Sequence, residues 1–242
     1  MNTLADPGGF DNAEFGADPW VETGSQVGFR YHEQAAPARV GASCTIHSGA
    51  VIYGDVTIGD YFHAGHHAVI RALVKMGDYC TVMNHSALEG IVRFGDGVRI
   101  MTSCYIPSRT WFGDNVFVGP GVTFLNDRYP GRYDGGMPEP RGAKVEDDVI
   151  IGGGCTVLPG VGIGERSFIA AGAVINRDVP PRSFVKGVPG EISELPAHLD
   201  MPNSRELTLN PNSFWDPRQE YTGADLWPAY WNEKFDSAGN DH

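Results

Sequence analysis

One period governs this chain. An apolar residue returns at every sixth position from Val40 through Ile46, Ile52, Ile58, Ala64, Ile70, Met76, Val82, Leu88, Phe94, Ile100, Ile106, Phe112 and Val118 to Phe124. The series resumes in Val145, Ile151, Val157, Ile163, Ile169 and Ile175, and the step from Phe124 to Val145 is one period of six plus fifteen inserted residues. Four residues after each member stands a small or β-branched residue, as in Cys44, Ala50, Val56, Ala68 and Val74. Phe62 is oversized for that second set, and Ala64, two residues on, is undersized for the first, which reads as an exchange of volume within one interior. Because strand side chains alternate, positions four and six of each hexad point inward together, one and five point outward, and two and three form a corner. An amphipathic helix would show steps of three and four and a coiled coil a step of seven, and neither is present. Gly41, Gly59, Gly77, Gly95 and Gly113 recur every eighteen residues, with Asp60, Asp78, Asp96 and Asp114 following four of them. Three hexads therefore make one coil of an all-β, three-sided solenoid, with a Gly-Asp ladder along one edge in residues suited to tight turns of positive φ.

The periodic body spans residues 36–190, with a loop insertion at about 125–144. Residues 1–35 read as an acidic, non-repeat lead-in, and residues 191–242 as an extension rich in aromatic residues, with Trp215, Tyr221, Trp227, Tyr230 and Trp231 suited to packing. The formal charge of -12 repels phosphate backbones and anionic lipid heads, so neither nucleic acid nor a membrane is an expected partner. With no stretch of about twenty apolar residues and no basic start before an apolar run, the expectation is a cytoplasmic protein. Cys44, Cys80, Cys104 and Cys155 all occupy the small inward slot and lack paired-ligand spacing, which favours packing over metal or redox chemistry.

A solenoid offers ligands its corners, insertions and subunit interfaces. The insertion carries Asn126, Asp127, Arg128, Tyr129, Arg132, Tyr133 and Arg141, a hydrogen-bonding and aromatic mixture in a loop long enough to suggest function. His66 and His67 hold positions two and three of their hexad; Asn84 and His85 hold the same positions one coil later, so the pairs should stack at one corner, followed by Thr102 and Ser103. An exposed corner histidine is the plain alternative. The functional one is a general base, His85 first and His67 next, with Asn84 orienting the acceptor or the imidazole. The outward stripe Val51, Val69, Ala87, Tyr105, Thr123, Thr156 and Val174 is mostly apolar and is the expected subunit interface.

Residues 40 to 190 closely resemble the hexapeptide-repeat acyltransferases. That resemblance implies a left-handed coil, a homotrimer, and acetyl-CoA as co-substrate without a metal. The segment VFVGPGVTFLNDRYP is similar to members that acylate amino sugars carried on nucleotides, which implies an N-acetyltransferase acting on a nucleotide-linked amino-deoxy-hexose. The insertion resembles the loop that closes over the acceptor, so Asn126, Asp127, Tyr129 and Arg132 join His67 as substrate-binding candidates. The segment IAAGAVINRDVPPRSFVKGVPGEI resembles the family's closing coil. There, backbone groups around Gly153 and Ala171 would face the pantetheine arm, and Arg177 and Lys186 would meet the phosphates of CoA. Met101 and Ser103 stand where related sequences often carry histidine and asparagine, a departure at the acceptor side. O-acetylation of a sugar or serine, a γ-class carbonic-anhydrase-like metal enzyme and a non-catalytic scaffold are the alternatives. The second lacks the expected histidine pair five residues apart, and the third has no use for the insertion.

Overall fold

A computed structural model of the chain describes residues 12–132 and 140–203. Strands of two to four residues stack into three sheets, the faces of a triangular prism. Face A holds eight strands from Ala13–Phe15 up to Gly162–Ile163, face B ten from Trp20–Val21 up to Glu191–Glu194, and face C eight from Gln26–Phe29 up to Val174–Ile175. The chain visits A, B and C in turn and then rises one coil. Thr57, His63 and Val69 therefore pair in parallel with Lys75, Thr81 and Ala87, each eighteen residues on. A two-residue strand has no stability of its own, so each is held by the neighbours above and below and by the side chains it sends inward.

The inward positions are those the six-residue period marks. Ile46, Ile52, Ile70, Val82, Leu88, Ile100, Ile106, Phe112 and Phe124 are fully buried, and so are the small partners Ala50, Ala68, Val74 and Val98. Phe62 and Ala64 lie in the same core, the large residue filling what the small one leaves. After the insertion the register returns, with Trp111 pairing Lys144 and Phe124 pairing Val157.

The Gly-Asp ladder occupies the edge between faces A and B, and its physical basis differs from the one read from sequence. Asp60 Oδ1 accepts a hydrogen bond from the Ala42 N–H at 2.7 Å, Asp78 Oδ1 from Asp60 at 2.8 Å, and Asp96 and Asp114 repeat the contact upward. Asp147 Oδ1 continues it across the insertion, accepting from Asp114 at 2.8 Å. The positive φ falls one residue later, on Ser43, Tyr61, Tyr79, Gly97 and Asn115, and not on the ladder glycines or aspartates. The glycines are required for space: a Cβ on Gly41 would stand 2.4 Å from Asp60 Oδ1, and one on Gly59 2.2 Å from Asp78 Oδ1.

Two boundaries move. Residues expected as a lead-in build a complete first coil, in which Ala13–Phe15, Trp20–Val21 and Gln26–Phe29 pair with Ala38–Val40, Thr45–Ile46 and Val51–Tyr53. Phe15, Val21 and Val27 are themselves six apart, but the link that follows puts them out of phase with Val40. At the other end, Ser183–Lys186 extends face B and pairs antiparallel with Glu191–Glu194, which closes the sheet where a further coil would otherwise add. The chain then returns down the edge between A and B. Asp200 bridges Arg166, at 3.0 Å, and Arg182, and Asn203 Nδ2 donates to the Asn115 carbonyl at 2.7 Å. The aromatic residues from Trp215 to Trp231 lie outside the described residues. No helix among the described residues is long and apolar enough to cross a membrane.

All four cysteines are buried and free. Three of the thiols donate to backbone carbonyls, Cys80 to Gly95 at 3.3 Å, Cys104 to Gly119 at 3.2 Å and Cys155 to Ala170 at 3.1 Å. Burial pushes the Cys44 thiol up to about 11 and Cys80 to about 12, so almost no thiolate exists near neutral pH. The native protein should show no rapidly titrating thiol with a bulky disulfide reagent, and all four after denaturation. Stoichiometric labelling within minutes under native conditions would contradict the packing role.

Candidate active site

The edge between faces B and C is a single column of corner residues tied by backbone hydrogen bonds. The N–H groups of His67, His85, Ser103, Gly121, Gly154 and Gly172 donate to the carbonyls of Ser48, His66, Asn84, Thr102, Pro120 and Gly153 in the coil below. Position three of this corner is left-handed throughout, with φ of 57° at both His67 and His85. That conformation is a demand of the corner, shared with residues such as Tyr61 and Leu73 elsewhere. What distinguishes this edge is its side chains.

In the lower half the edge carries imidazoles. The His67 and His85 rings stack with centroids 5.2 Å apart and planes 10° from parallel. Gly49 makes the stack possible, because a Cβ there would lie 2.3 Å from His67 Nδ1. Asn84 has a defined task within the fold: its Oδ1 accepts from the His66 N–H at 2.8 Å, in a space that a Cβ on Gly65 would fill. It is the counterpart of the aspartate ladder on the other edge, and it holds the turn from which His67 projects. His67 and His85 are exposed.

In the upper half the edge is nearly bare. Its corners read Gly119-Pro120-Gly121, Gly152-Gly153-Gly154 and Ala170-Ala171-Gly172. A Cβ on Gly154 or Gly172 would meet nothing within 4 Å, so the backbone faces open space. Among the described residues the N–H groups of Gly153 and Ala171 have no hydrogen-bond partner, because no aspartate or asparagine projects from the coil above as it does over Ala42 or His66. Lys186 ends the strand lying over Ile169 and so stands at the top of this column. From His85 to Lys186 is five coil steps, about 24 Å at roughly 4.8 Å per step. Arg177 is on the other side of face C, at the edge between C and A, where its guanidinium reaches the Gly190 carbonyl at 3.5 Å.

The insertion also leaves from the edge between C and A. Its neck is built by backbone and side chain together: Arg141 N–H donates to the Asn126 carbonyl at 2.9 Å, and Asn126 Nδ2 to Ser108 Oγ at 3.1 Å. Asp127 Oδ1 accepts from the Tyr129 N–H at 2.9 Å, fixing a local turn. Tyr129 and Arg132 are exposed, and Tyr133 lies outside the described residues. Within one chain, then, His67, Asn84, His85, Gly153, Ala171 and Lys186 share an edge, while Asn126, Asp127, Tyr129, Arg132 and Arg177 lie across face C. The stripe Val51, Val69, Ala87, Tyr105, Thr123, Thr156 and Val174 runs as one registered column between them.

Glu22, His47 and His63 gather at the foot of the histidine column, and sequence reading passed over all three. Glu22 belongs to the first coil, whose phase is broken; His47 and His63 sit at ordinary outward positions that gave no signal. The His63 ring, 4.9 Å from His47, is pushed down to about 4 by burial and then by the neighbouring His47, and is held neutral.

Residues 142–177 match the bacterial transferase hexapeptide family of six repeats. Across 90% of this chain and 86% of its counterpart, the fold also matches the UDP-N-acetylglucosamine acyltransferase of Campylobacter jejuni, with a TM-score of 0.65 at 20% identity. The fold is a left-handed β-helix, built here on a six-residue repeat. Among curated relatives, this β-helix is 40% identical over 84 residues to a Schizosaccharomyces pombe protein named as an acetyltransferase, a match covering 32% of this chain and 39% of the relative. It is 36% identical over 81 residues to the 2,3,4,5-tetrahydropyridine-2,6-dicarboxylate N-acetyltransferase of Staphylococcus aureus, covering 32% of this chain and 30% of the relative. The β-helix thus spans well under half the length of the curated relatives it matches.

Proposed function

We propose that this β-helix is an acetyl-CoA-dependent N-acetyltransferase whose acceptor is a nucleotide-linked amino-deoxy-hexose, and that it works as a homotrimer. The observation that carries the reading is the single edge on which an imidazole stack lies below a bare backbone track with open N–H donors. A pantetheine arm is an extended chain with two amides, and it fits a track that is smooth, unobstructed and supplied with unpaired N–H groups at Gly153 and Ala171. Lys186 at the top of the track supplies a cation for phosphate oxygens. The relatives named as acetyltransferases support the same chemistry.

In this reading the acetyl thioester lies near His85. The acceptor amine attacks the thioester carbonyl carbon, His85 takes the proton that the nitrogen loses, and a backbone N–H on the edge stabilises the oxyanion. The carbon–sulfur bond then breaks, and the thiolate of CoA leaves and takes back the proton held by His85. Asn84 acts by holding the corner beneath the histidines. The insertion is at the wrong edge to serve this site in its own chain. A trimer joined through face C brings the loop of one subunit, with Asn126, Asp127, Tyr129 and Arg132, toward the histidine edge of the next.

Release of free CoA on mixing acetyl-CoA with amino-sugar nucleotides tests the activity; turnover only with hydroxyl acceptors would replace N- by O-acetylation. His85→Ala should lower kcat by about 10²- to 10⁴-fold while CoA binding is unchanged. A variant keeping a third or more of wild-type kcat would remove His85 from the proton-transfer role. Ala171→Asn places an amide at the corner position that Asn84 holds four coils below, with Gly152 providing the space that Gly65 provides there. It should close the Gly153 N–H and weaken acetyl-CoA binding by tenfold or more without lowering the melting temperature. Unchanged affinity in calorimetry would take the pantetheine off this edge. Tyr105→Glu, which puts a charge into the face C stripe, should yield monomers in light scattering; an intact trimer would move the interface to another face.

A further inference from the structure

At the foot of the histidine edge, Glu22, His47 and His66 rise one from each of the first three coils, and their ligand atoms lie within 4.8 Å of one another. We propose that these three side chains form a binding site for a divalent transition metal, zinc by the chemistry of its donors, with the remaining coordination position open to solvent. The site is contained in one chain and is separate from the stacked His67–His85 pair, whose rings project from position three of the corner.

Two imidazoles and a carboxylate are a donor set suited to Zn²⁺, and three protein ligands plus water complete its tetrahedral shell. With metal–ligand bonds of about 2.0–2.1 Å, tetrahedral ligand atoms sit roughly 3.3 Å apart. His47 Nδ1 and Glu22 Oε1 are already 2.9 Å apart, joined by one shared proton, and a metal ion would displace that proton with a small widening of the pair. His66 faces them with its ring centroid 4.8 Å from that of His47. The donors are also held in place. The second carboxylate oxygen of Glu22 accepts the Ser48 N–H at 2.9 Å, and the Ser48 hydroxyl meets His66 Nδ1 at 3.0 Å, leaving Nε2 of that ring to coordinate. Contacts of this kind orient metal-binding side chains. His63, half-buried beside His47, adds a third imidazole at the rim.

The placement gives the metal a structural consequence. Glu22 lies on the first coil, whose strand pairs in parallel with the second, whereas His47 and His66 belong to the second and third coils. A bound ion would tie the three together and brace the turn carrying His66 and His67.

The test is direct titration of the chelator-stripped full chain with Zn²⁺ by calorimetry, with Co²⁺ absorption as a second readout. One ion per chain is expected, with a tetrahedral Co²⁺ spectrum. His47→Ala, His66→Ala and Glu22→Gln should each weaken binding at least tenfold, while His198→Ala, far from the cluster, binds as wild type. Glu22→Gln preserves an acceptor for Ser48 and serves if a histidine variant fails to fold. Absence of saturable uptake by the wild-type chain would overturn the proposal. So would loss of binding in a His67→Ala/His85→Ala double variant when the Glu22, His47 and His66 variants retain it. These readouts are independent of acetyl transfer, so the site and the enzymatic reading stand or fall separately.

Discussion

The hydrogen bond from a corner N–H to a side chain one coil above is the contact on which the rest of this molecule depends. Strand ladders join the faces, but a corner residue at position two points its N–H out of the ladder and needs another acceptor. Along the edge between A and B an aspartate supplies it at every coil from Ala42 to Asp114, and a glycine beneath leaves the room. Each such bond contributes about 1 kcal/mol, and their regular repetition fixes the coil-to-coil register that two-residue strands would hold weakly. That edge is closed and serves structure.

The edge between B and C obeys the same rule with different residues. Asn84 answers His66, and Glu22 answers Ser48 from below. Then the answers stop. Above Ser103 the corner side chains shrink to glycine, proline and alanine, and the N–H groups of Gly153 and Ala171 open to solvent. An exposed N–H costs little, since water pairs with it, yet it is a fixed donor on a rigid rod and can exchange that water for a ligand carbonyl. On the proposed function, the change from a side-chain-capped edge to an uncapped one gives a monotonous fold a place for a small molecule without a cavity.

The interior of this fold was legible because burial repeats with the coil. The inward positions from Val40 to Phe124 and from Val145 to Ile175 could be named from spacing alone, including the compensation between Phe62 and Ala64, whereas Ala143 at the end of the insertion could not. The first coil escaped for a specific reason: Phe15, Val21 and Val27 keep the period, but seven extra residues before Ala38 shift its phase, and a search for one unbroken series passes it by. The stacking of His67 on His85 was also legible, since eighteen residues return the chain to the same corner. The hydrogen bond from the His66 N–H to Asn84 Oδ1 was not legible, since it depends on the direction of one Cβ, which spacing does not carry. The loop candidates could not be assigned an edge, because an insertion leaves no phase from which to count.

Edge assignment has a consequence for how a site can be built at all. On a convex prism two neighbouring edges diverge from the face between them, so groups on the histidine edge and groups on the loop edge of one chain cannot converge on one ligand. A mostly apolar stripe on the intervening face, from Val51 to Val174, is costly to expose and gains by meeting a copy of the chain. In the trimer proposed above, threefold closure around such faces would set the histidine edge of one subunit beside the loop edge of the next, so that burial of the stripe and completion of the site would be one event. On the proposed trimer, a substitution in the stripe would abolish activity without touching a reacting atom, and each chain would contribute half of each site.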